Sequence, residues 1–220
     1  FIATETTSAL GTRGFYQMPS DTTMRWPKAW DEPFEGGNEA QTVSSYDNVS
    51  TPWGSTHEEA LRSIQSADHL SGMFIWTGFD YIGEPTPYEW PSRSSYFGII
   101  DLAGFPKDAY YLYKSEWTDT PTLHLFPHWN NWSQGDTVDV LAYTNATRVE
   151  LFLNGESLGV RKNTENTYHL KWEVPYEPGK LKAVGRTPGG NMIKDSVQTA
   201  GEPALLDLSS NRDTVRANGR

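Results

Sequence analysis

Two short apolar segments of this sequence end in side chains that could do chemistry. Glu5 follows the segment at residues 2–4, and Trp76 and Asp80 lie at the end of another. A carboxylate can act as nucleophile, acid or base, and an aromatic ring can pack against the apolar face of a sugar. Groups at the carboxyl ends of parallel strands meet at one edge of a barrel. The pattern fits a carbohydrate-active site, although Glu5 alone also fits a surface or ion-paired residue and Trp76 alone a core residue.

The sequence lacks the motifs of other common catalytic and cofactor-binding sites. There is no phosphate-binding loop and no dinucleotide fingerprint, and position 61 is Leu, so His57 does not begin a two-histidine zinc helix. Ser8 is not enclosed in the Gly-x-Ser-x-Gly motif of serine hydrolases. The absence of cysteine excludes disulfides, thiolate metal sites and a cysteine nucleophile. We therefore expect neither a metal nor a cofactor.

Composition narrows the class of partner. The 220 residues include 18 Lys and Arg against 28 Asp and Glu, a formal net charge of −10. Such a balance disfavours nucleic acid and anionic membranes, because phosphates would be repelled. The longest apolar runs fall far short of the roughly 20 residues that span a bilayer, so no membrane span is expected. The sequence contains 9 Trp, 11 Tyr and 9 Phe. Aromatic side chains of this kind often stack on sugars, bury in hydrophobic cores or lie at interfaces.

Helix and strand signals alternate in the first half. Two overlapping capping boxes, Ser55 with Glu58 and Thr56 with Glu59, predict a helix that ends near residues 70–72. The apolar run at residues 73–76 predicts a strand buried on both faces. Pro106, taken as the first helical residue, predicts a second helix to about Trp117. Residues 13–54 show no periodicity but are rich in aromatic rings, which favours a functional surface insertion.

The periodicity changes to two after residue 123. Apolar residues alternate with others in several short segments, and Asn154-Gly155 is a strong hairpin signal. About seven strands over some 80 residues predict an immunoglobulin-like β-sandwich. The alternating apolar residues that mark these strands are Val138, Val140, Ala142, Val149, Leu151, Leu153, Leu158, Val160, Tyr168, Leu170, Trp172, Val174, Leu181 and Ala183.

Longer motifs resemble one enzyme family. They are ATETTSAL at 3–10 with TRG at 12–14, YDN at 46–48, PWGSTHEE at 52–59, FIWTGFDYIGEP at 74–85, and YFGIID at 96–101 with FPKD at 105–108. These segments are similar to those of family 2 glycoside hydrolases of the Bacteroides-type β-galactosidase branch. The resemblance implies an α/β plus all-β fold: a partial TIM barrel at 1–118, an immunoglobulin-like β-sandwich at 119–202, and the truncated start of a further β-domain at 203–220. We expect the chain to continue upstream and downstream within a longer polypeptide.

The resemblance also implies a reaction. Glu5 would be the nucleophile of a retaining glycosidase that hydrolyses terminal β-D-galactosides through a glycosyl-enzyme intermediate. The acid/base residue of the family belongs to an Asn-Glu pair that would lie upstream of Phe1. Asn38-Glu39 follows the nucleophile in a Gly-flanked loop and is rejected for that role. The chain alone is therefore expected to be inactive, and the longer protein to be periplasmic or extracellular.

Further site residues follow from the same resemblance. Trp76 would form the floor of the sugar subsite, with Asp80 close behind it ordering the loop or touching substrate. The rim of the pocket would include Asp47, Trp53 and His57, which could instead cap and pack the helix. Ser8 stands where the best-known bacterial β-galactosidases have His, so the sugar could differ. The alternatives are a β-glucuronidase or β-mannosidase of the same family, or a non-catalytic carbohydrate-binding immunoglobulin-like module.

Overall fold

In the computed structural model, described for residues 1–26, 38–164, 167–214 and 216–217, two parallel strands lie beside a helix. Strand β1 (Ile2–Thr7) pairs in parallel with β4 (Gly72–Trp76), and helix α1 (His57–Gln65) precedes β4. Two-residue strands β2 (Met24–Arg25) and β3 (Val49–Ser50) form a second parallel pair. Strand β4 is only partly buried, and Phe74 is exposed, so the prediction that both its faces are buried is wrong for this chain.

Both predicted helices form, with shifted ends. The Thr56 hydroxyl accepts from the backbone of Glu59, whose side chain accepts from the backbone of Thr56. Of the two predicted capping boxes, this is the one that begins α1. The helix ends at Gln65, before the expected residues 70–72, where Ser66 caps it.

Helix α2 (Asp108–Trp117) begins two residues after Pro106. The backbone of Lys107 is extended, with φ of −86° and ψ of 171°, so Pro106 lies outside the helix and the prediction of its position is wrong. Leu112 and Tyr113 face inward as predicted, and Ala109 is only half-buried.

Irregular backbone dominates residues 13–54, apart from β2 and β3, over the part that the structure describes. Trp26 and Tyr46 are buried there, and Trp53 is 48% exposed. Two further rings of this segment, Trp30 and Phe34, lie outside the described residues.

Seven strands in two facing sheets follow. They are β5 (Leu123–Phe126), β6 (Thr137–Thr144), β7 (Arg148–Leu153), β8 (Glu156–Lys162), β9 (Leu170–Pro175), β10 (Lys180–Arg186) and β11 (Met192–Gln198). One sheet has the order β5-β6-β9 and the other β11-β10-β7-β8. Side chains from both sheets share one buried cluster around Trp129 and Trp172. Asn154 and Gly155, with φ of 53° and 93°, make the predicted turn between β7 and β8.

Strand β6 is buried on both faces because it lies between two cores. Val138 and Val140 belong to the cluster between the sheets, whereas Leu141 and Tyr143 pack with Tyr46, Leu61 and Leu112 of the first half of the chain. The list of the second cluster is completed by Tyr113, Phe126 and Tyr168. The two halves of the chain therefore share a hydrophobic core.

The last described residues have no regular structure. Leu205, Leu206 and Leu208 are at least 80% exposed, and no strand is assigned after Gln198 in the described part of the chain. Neither helix among the described residues is long and apolar enough to cross a membrane.

Candidate functional site

The carboxyl ends of β1 and β4 position Glu5 and Trp76 at one edge of the parallel pair. Thr7 is the register partner of Trp76, and its Oγ1 donates to the Trp76 carbonyl oxygen over 2.9 Å. The register shifts between Ala3 and Thr6, and Glu5 lies in this irregularity with its side chain exposed. The strands thus bring the predicted nucleophile and the predicted sugar platform to the same edge.

The backbone directly after Glu5 adopts an uncommon conformation. Thr7 and Ser8 both have positive φ, 76° and 62°, a region that β-branched residues such as Thr rarely enter. Both residues are buried. The Thr7 carbonyl oxygen accepts from the Ser55 backbone over 2.6 Å, and the Ser8 carbonyl oxygen accepts from Thr51 over 3.1 Å. Residues held in such conformations cluster at functional sites, which supports a role for this edge.

Glu5 opens onto a cleft of about 340 Å³ that it shares with Trp53. Ser8 and Ser55 also line it. Gly54 is required next to Trp53, because a Cβ there would lie 2.1 Å from the Thr7 carbonyl oxygen. Among the described residues, Glu5 is the only carboxylate that lines this cleft. The retaining mechanism expected for Glu5 needs a second carboxyl about 5 Å away, and no second carboxylate among the described residues lines the cleft.

Tyr81 is a neighbour of this edge that the sequence did not single out as a site residue. Its ring meets Trp76 edge to face, with centroids 5.9 Å apart and an interplanar angle of 85°. The Tyr81 hydroxyl donates to the Glu84 carboxylate. Burial, followed by that hydrogen bond and with a smaller contribution from the charge of Glu5, raises the pKa of Tyr81 to about 12. The phenol therefore stays protonated at neutral pH.

Asp80 is engaged within the protein. Both of its carboxylate oxygens lie 2.8 Å from the Lys107 Nζ, and one also accepts from the Gly98 backbone over 2.8 Å. The same Nζ donates to the carbonyl oxygens of Gly11 and Tyr96. Burial lowers the pKa of Lys107, which the Asp80 carboxylate opposes. This ion pair ties together the loops behind the strand ends.

Asp47 and His57 lie at the start of α1. The Asp47 carboxylate accepts from the backbone nitrogens of His57 and Glu58 over 2.8 and 2.9 Å. Burial raises the pKa of Asp47, opposed by these two donors. His57 is buried, and its Nδ1 lies 2.8 Å from the Tyr113 Oη. Burial, with a smaller effect of Lys107, lowers the pKa of His57 to about 3, so its ring is neutral at pH 7.

The six predicted site residues are therefore arranged in two groups. Glu5 and Trp53 share the cleft, and Trp76 ends the adjacent strand. Asp47, His57 and Asp80 do not line that cleft and make the internal contacts described above. Within the described residues, no group of three or more His, Asp or Glu side chains could hold a metal ion.

Comparison with known proteins identifies the family. The chain is 53% identical over 221 residues to the β-galactosidase BoGH2A of Bacteroides ovatus, a match that covers 100% of this chain. The crystal structure of a β-glycosidase from Bacteroides vulgatus is 39% identical, covers 99% of this chain and superposes with a TM-score of 0.81. A glycosyl hydrolase family 2 member from Bacteroides cellulosilyticus is 34% identical over 74% of this chain, with a TM-score of 0.58. The chain is homologous to family 2 glycoside hydrolases. The resemblance in the sequence motifs is thus confirmed.

Two further comparisons refine this relationship. A β-glucuronidase from Bacteroides uniformis is 29% identical over 65% of this chain, with a TM-score of 0.53. Residues 135–193 match a family described as a domain of unknown function, DUF4982. The chain spans only 26% of the Bacteroides ovatus protein and 30%, 23% and 18% of the three solved chains. Family 2 relatives with different named activities therefore share this segment.

Proposed function

We propose that this chain is part of a longer retaining family 2 glycoside hydrolase that removes terminal β-D-galactosyl units. The observation that carries the proposal is Glu5, the only described carboxylate in a cleft at the carboxyl ends of two parallel strands, beside Trp53 and next to Trp76. The similarity to a protein named β-galactosidase supports the choice of galactose. The longer protein would act in the periplasm or outside the cell.

In the proposed architecture, residues 1–118 are the last strands and helices of a TIM barrel. The parallel pair of β1 and β4 with α1 supports this assignment, because parallel strands alternate with helices in such barrels. Residues 119–202 form an immunoglobulin-like β-sandwich, supported by the three-stranded and four-stranded sheets around one core. The start of a further β-domain at 203–220 stays a prediction, and no strand is assigned there among the residues that the structure describes.

In the proposed mechanism, Glu5 attacks the anomeric carbon, and a second carboxylic acid protonates the leaving oxygen. Water then cleaves the glycosyl ester with the second group acting as base. The apolar face of the sugar packs on Trp76, and Trp53 closes one side of the cleft. Asp80, Asp47 and His57 hold the loops and α1 that shape the pocket. Because the second carboxyl is contributed from elsewhere in the longer polypeptide, the 220-residue chain alone is inactive.

The test compares Glu5→Gln with Glu39→Gln in the longer polypeptide. Both changes remove one exposed carboxylate, but Glu39 lies outside β1 and does not line the cleft. Hydrolysis of an aryl β-galactoside should fall by at least about 10³-fold with Glu5→Gln and stay unchanged with Glu39→Gln, since covalent catalysis is lost in the first case only. Turnover by the isolated chain, or an active Glu5→Gln variant, would contradict the proposal.

A β-glucuronidase is the second candidate, favoured by the similarity to the Bacteroides uniformis protein. Ser8, where the best-known bacterial β-galactosidases have His, weakens the preference for galactose. The two activities are separated by assaying aryl β-galactoside and aryl β-glucuronide side by side. A ratio of kcat/KM in favour of the galactoside supports the first candidate, and the reverse ratio supports the second. In both cases Glu5 keeps the role of nucleophile.

A further inference from the structure

The outer face of the β11-β10-β7-β8 sheet carries a concentration of positive charge. Cross-strand pairing places Arg186 beside Arg148 and Arg148 beside Lys162, in a row across three strands. Lys194 and Lys182 occupy the same face through their pairing with Val184 and Ser196, and Lys180 continues it along β10. This surface, the basic face, bears Arg148, Lys162, Lys180, Lys182, Arg186 and Lys194.

The basic face contrasts with the rest of the molecule. Six of the 18 lysines and arginines lie on it, although the chain as a whole has a net charge of −10. Across the described residues, none of the six forms an ion pair. Glu150, the register partner of Val184 and Val160, is a carboxylate on the same face, and the Ser157 hydroxyl donates to it over 2.7 Å. Among the residues that the structure describes, no carboxylate forms an ion pair with these six cations, which leaves them able to bind an anion.

A cleft on this face combines the charge with an apolar wall. It measures about 740 Å³, and Phe152 and Val184 line it together with Lys180, Lys182 and Lys194. Phe152 is the register partner of Lys182, so the two side chains project from adjacent strands on the same face of the sheet. Asp195 also lines the cleft, and its carboxylate accepts from the backbone nitrogens of Leu125 and Ser196.

We propose that this cleft binds an anionic oligosaccharide, one whose sugars carry carboxylate or sulfate groups. The apolar face of a pyranose ring would pack on Phe152, and its anionic groups would accept hydrogen bonds from the three lysines. An uncharged sugar would leave the ammonium groups without counter-charge. The proposal goes beyond the hydrolytic activity and does not depend on Glu5, because every residue of the cleft belongs to strands β7, β10 and β11 or to the turn after β7.

A short anionic glycan fits better than two other partners. A long nucleic acid would extend from the basic face over the acidic remainder of the chain, which repels phosphates. In self-association, the basic face of one copy would contact a complementary acidic surface of a second copy. The second copy would then cover the cleft. Binding of nucleic acid and self-association would each give a different result from glycan binding in the experiment below.

The experiment measures binding to the 220-residue chain by isothermal titration calorimetry at low salt. The probes are an oligogalacturonide, which carries carboxylates, a sulfated galactan oligosaccharide, a neutral galactan oligosaccharide and single-stranded DNA. The variants are Lys182→Gln/Lys194→Gln and Phe152→Leu. The matched control is Arg93→Gln/Lys114→Gln, which removes the same charge from residues outside the sheet. Light scattering reports the oligomeric state of each variant.

Saturable binding of one or both anionic glycans supports the proposal. The identity of the glycan that binds shows whether the cleft recognises carboxylate or sulfate groups. The double lysine variant should then bind at least about tenfold more weakly, because charged hydrogen bonds are lost, while the control variant keeps its affinity. Phe152→Leu should weaken binding with the charge intact. The proposal is overturned if neither anionic glycan binds, or if the control variant loses as much affinity as the double lysine variant. It is also overturned if single-stranded DNA binds as tightly as the glycans, or if the chain forms a dimer that dissociates when the lysines are substituted.

Discussion

The buried side chain of His57 should make the stability of the whole chain depend on pH. Its folded-state pKa of about 3 lies below the ordinary 6.5, so the unfolded chain takes up a proton on this side chain at pH values where the folded chain does not. Stability from this residue is complete above pH 6.5 and is lost as the pH falls towards 3. We expect the free energy of unfolding to drop by up to ~1.4 kcal/mol per pH unit in this window.

The measurement is urea denaturation between pH 4 and 8 of the natural chain and of His57→Asn. The variant should be less stable at pH 7 but lose less stability on acidification, because the titrating group is gone. His69→Asn serves as the control, since His69 is exposed at the surface. Equal slopes for the natural chain and His57→Asn would show that His57 does not titrate in this way.

Part of the site could be predicted at the scale of single residues. The apolar segments ending at Glu5 and Trp76 indicated strand ends, and the structure brings these two residues to one edge. The contact of Tyr81 with Trp76 was not predicted, because it depends on the path of the loop after β4. The internal partner of Asp80 was likewise hidden, since Lys107 lies 27 residues away in the sequence.

Helix α1 offers a test at the scale of one element. The sequence contains two overlapping capping boxes, and the structure uses the box of Thr56 and Glu59. Thr56→Ala should therefore lower the free energy of unfolding by about 1 kcal/mol, because a backbone donor of the first turn loses its partner. Ser55→Ala, the matched control, should have a clearly smaller effect. A larger loss for Ser55→Ala than for Thr56→Ala, measured by urea denaturation, would contradict the assigned cap.

Periodicity predicted the strands better than it predicted burial. The alternation from Tyr168 to Val174 and the turn at Asn154 appear as expected. Strand β6 departs from a one-sided pattern because Leu141 and Tyr143 pack against the first half of the chain. A sequence pattern cannot show which strand will lie between two cores, since that depends on how distant segments pack together.

The contacts between the two halves predict how the whole molecule unfolds. The Tyr46 hydroxyl donates to the Asp139 carbonyl oxygen over 2.7 Å, and the Tyr168 hydroxyl donates to Gln65 over 2.7 Å. Leu112 is fully buried in the shared cluster. Leu112→Ala should destabilise the chain by about 2–5 kcal/mol, because it leaves a cavity in that cluster.

Both halves should lose stability together in this variant. Tryptophan fluorescence and far-ultraviolet circular dichroism should report one coincident transition, as expected for cooperative unfolding. Leu102→Ala, at a side chain that is 56% exposed, should change the stability by less than about 0.5 kcal/mol. Two separate transitions, with only the first shifted by Leu112→Ala, would show that the shared cluster does not couple the halves.

Identification of the residue that carries the sugar ester tests whether Glu5 is the nucleophile. The longer polypeptide is treated with a 2-fluoro β-galactoside that has a good leaving group, digested, and analysed by mass spectrometry. We expect one glycosyl unit to be attached to the peptide at Glu5, and we expect Glu5→Gln to abolish the labelling. Attachment to a different carboxylate, or undiminished labelling of Glu5→Gln, would contradict this role of Glu5.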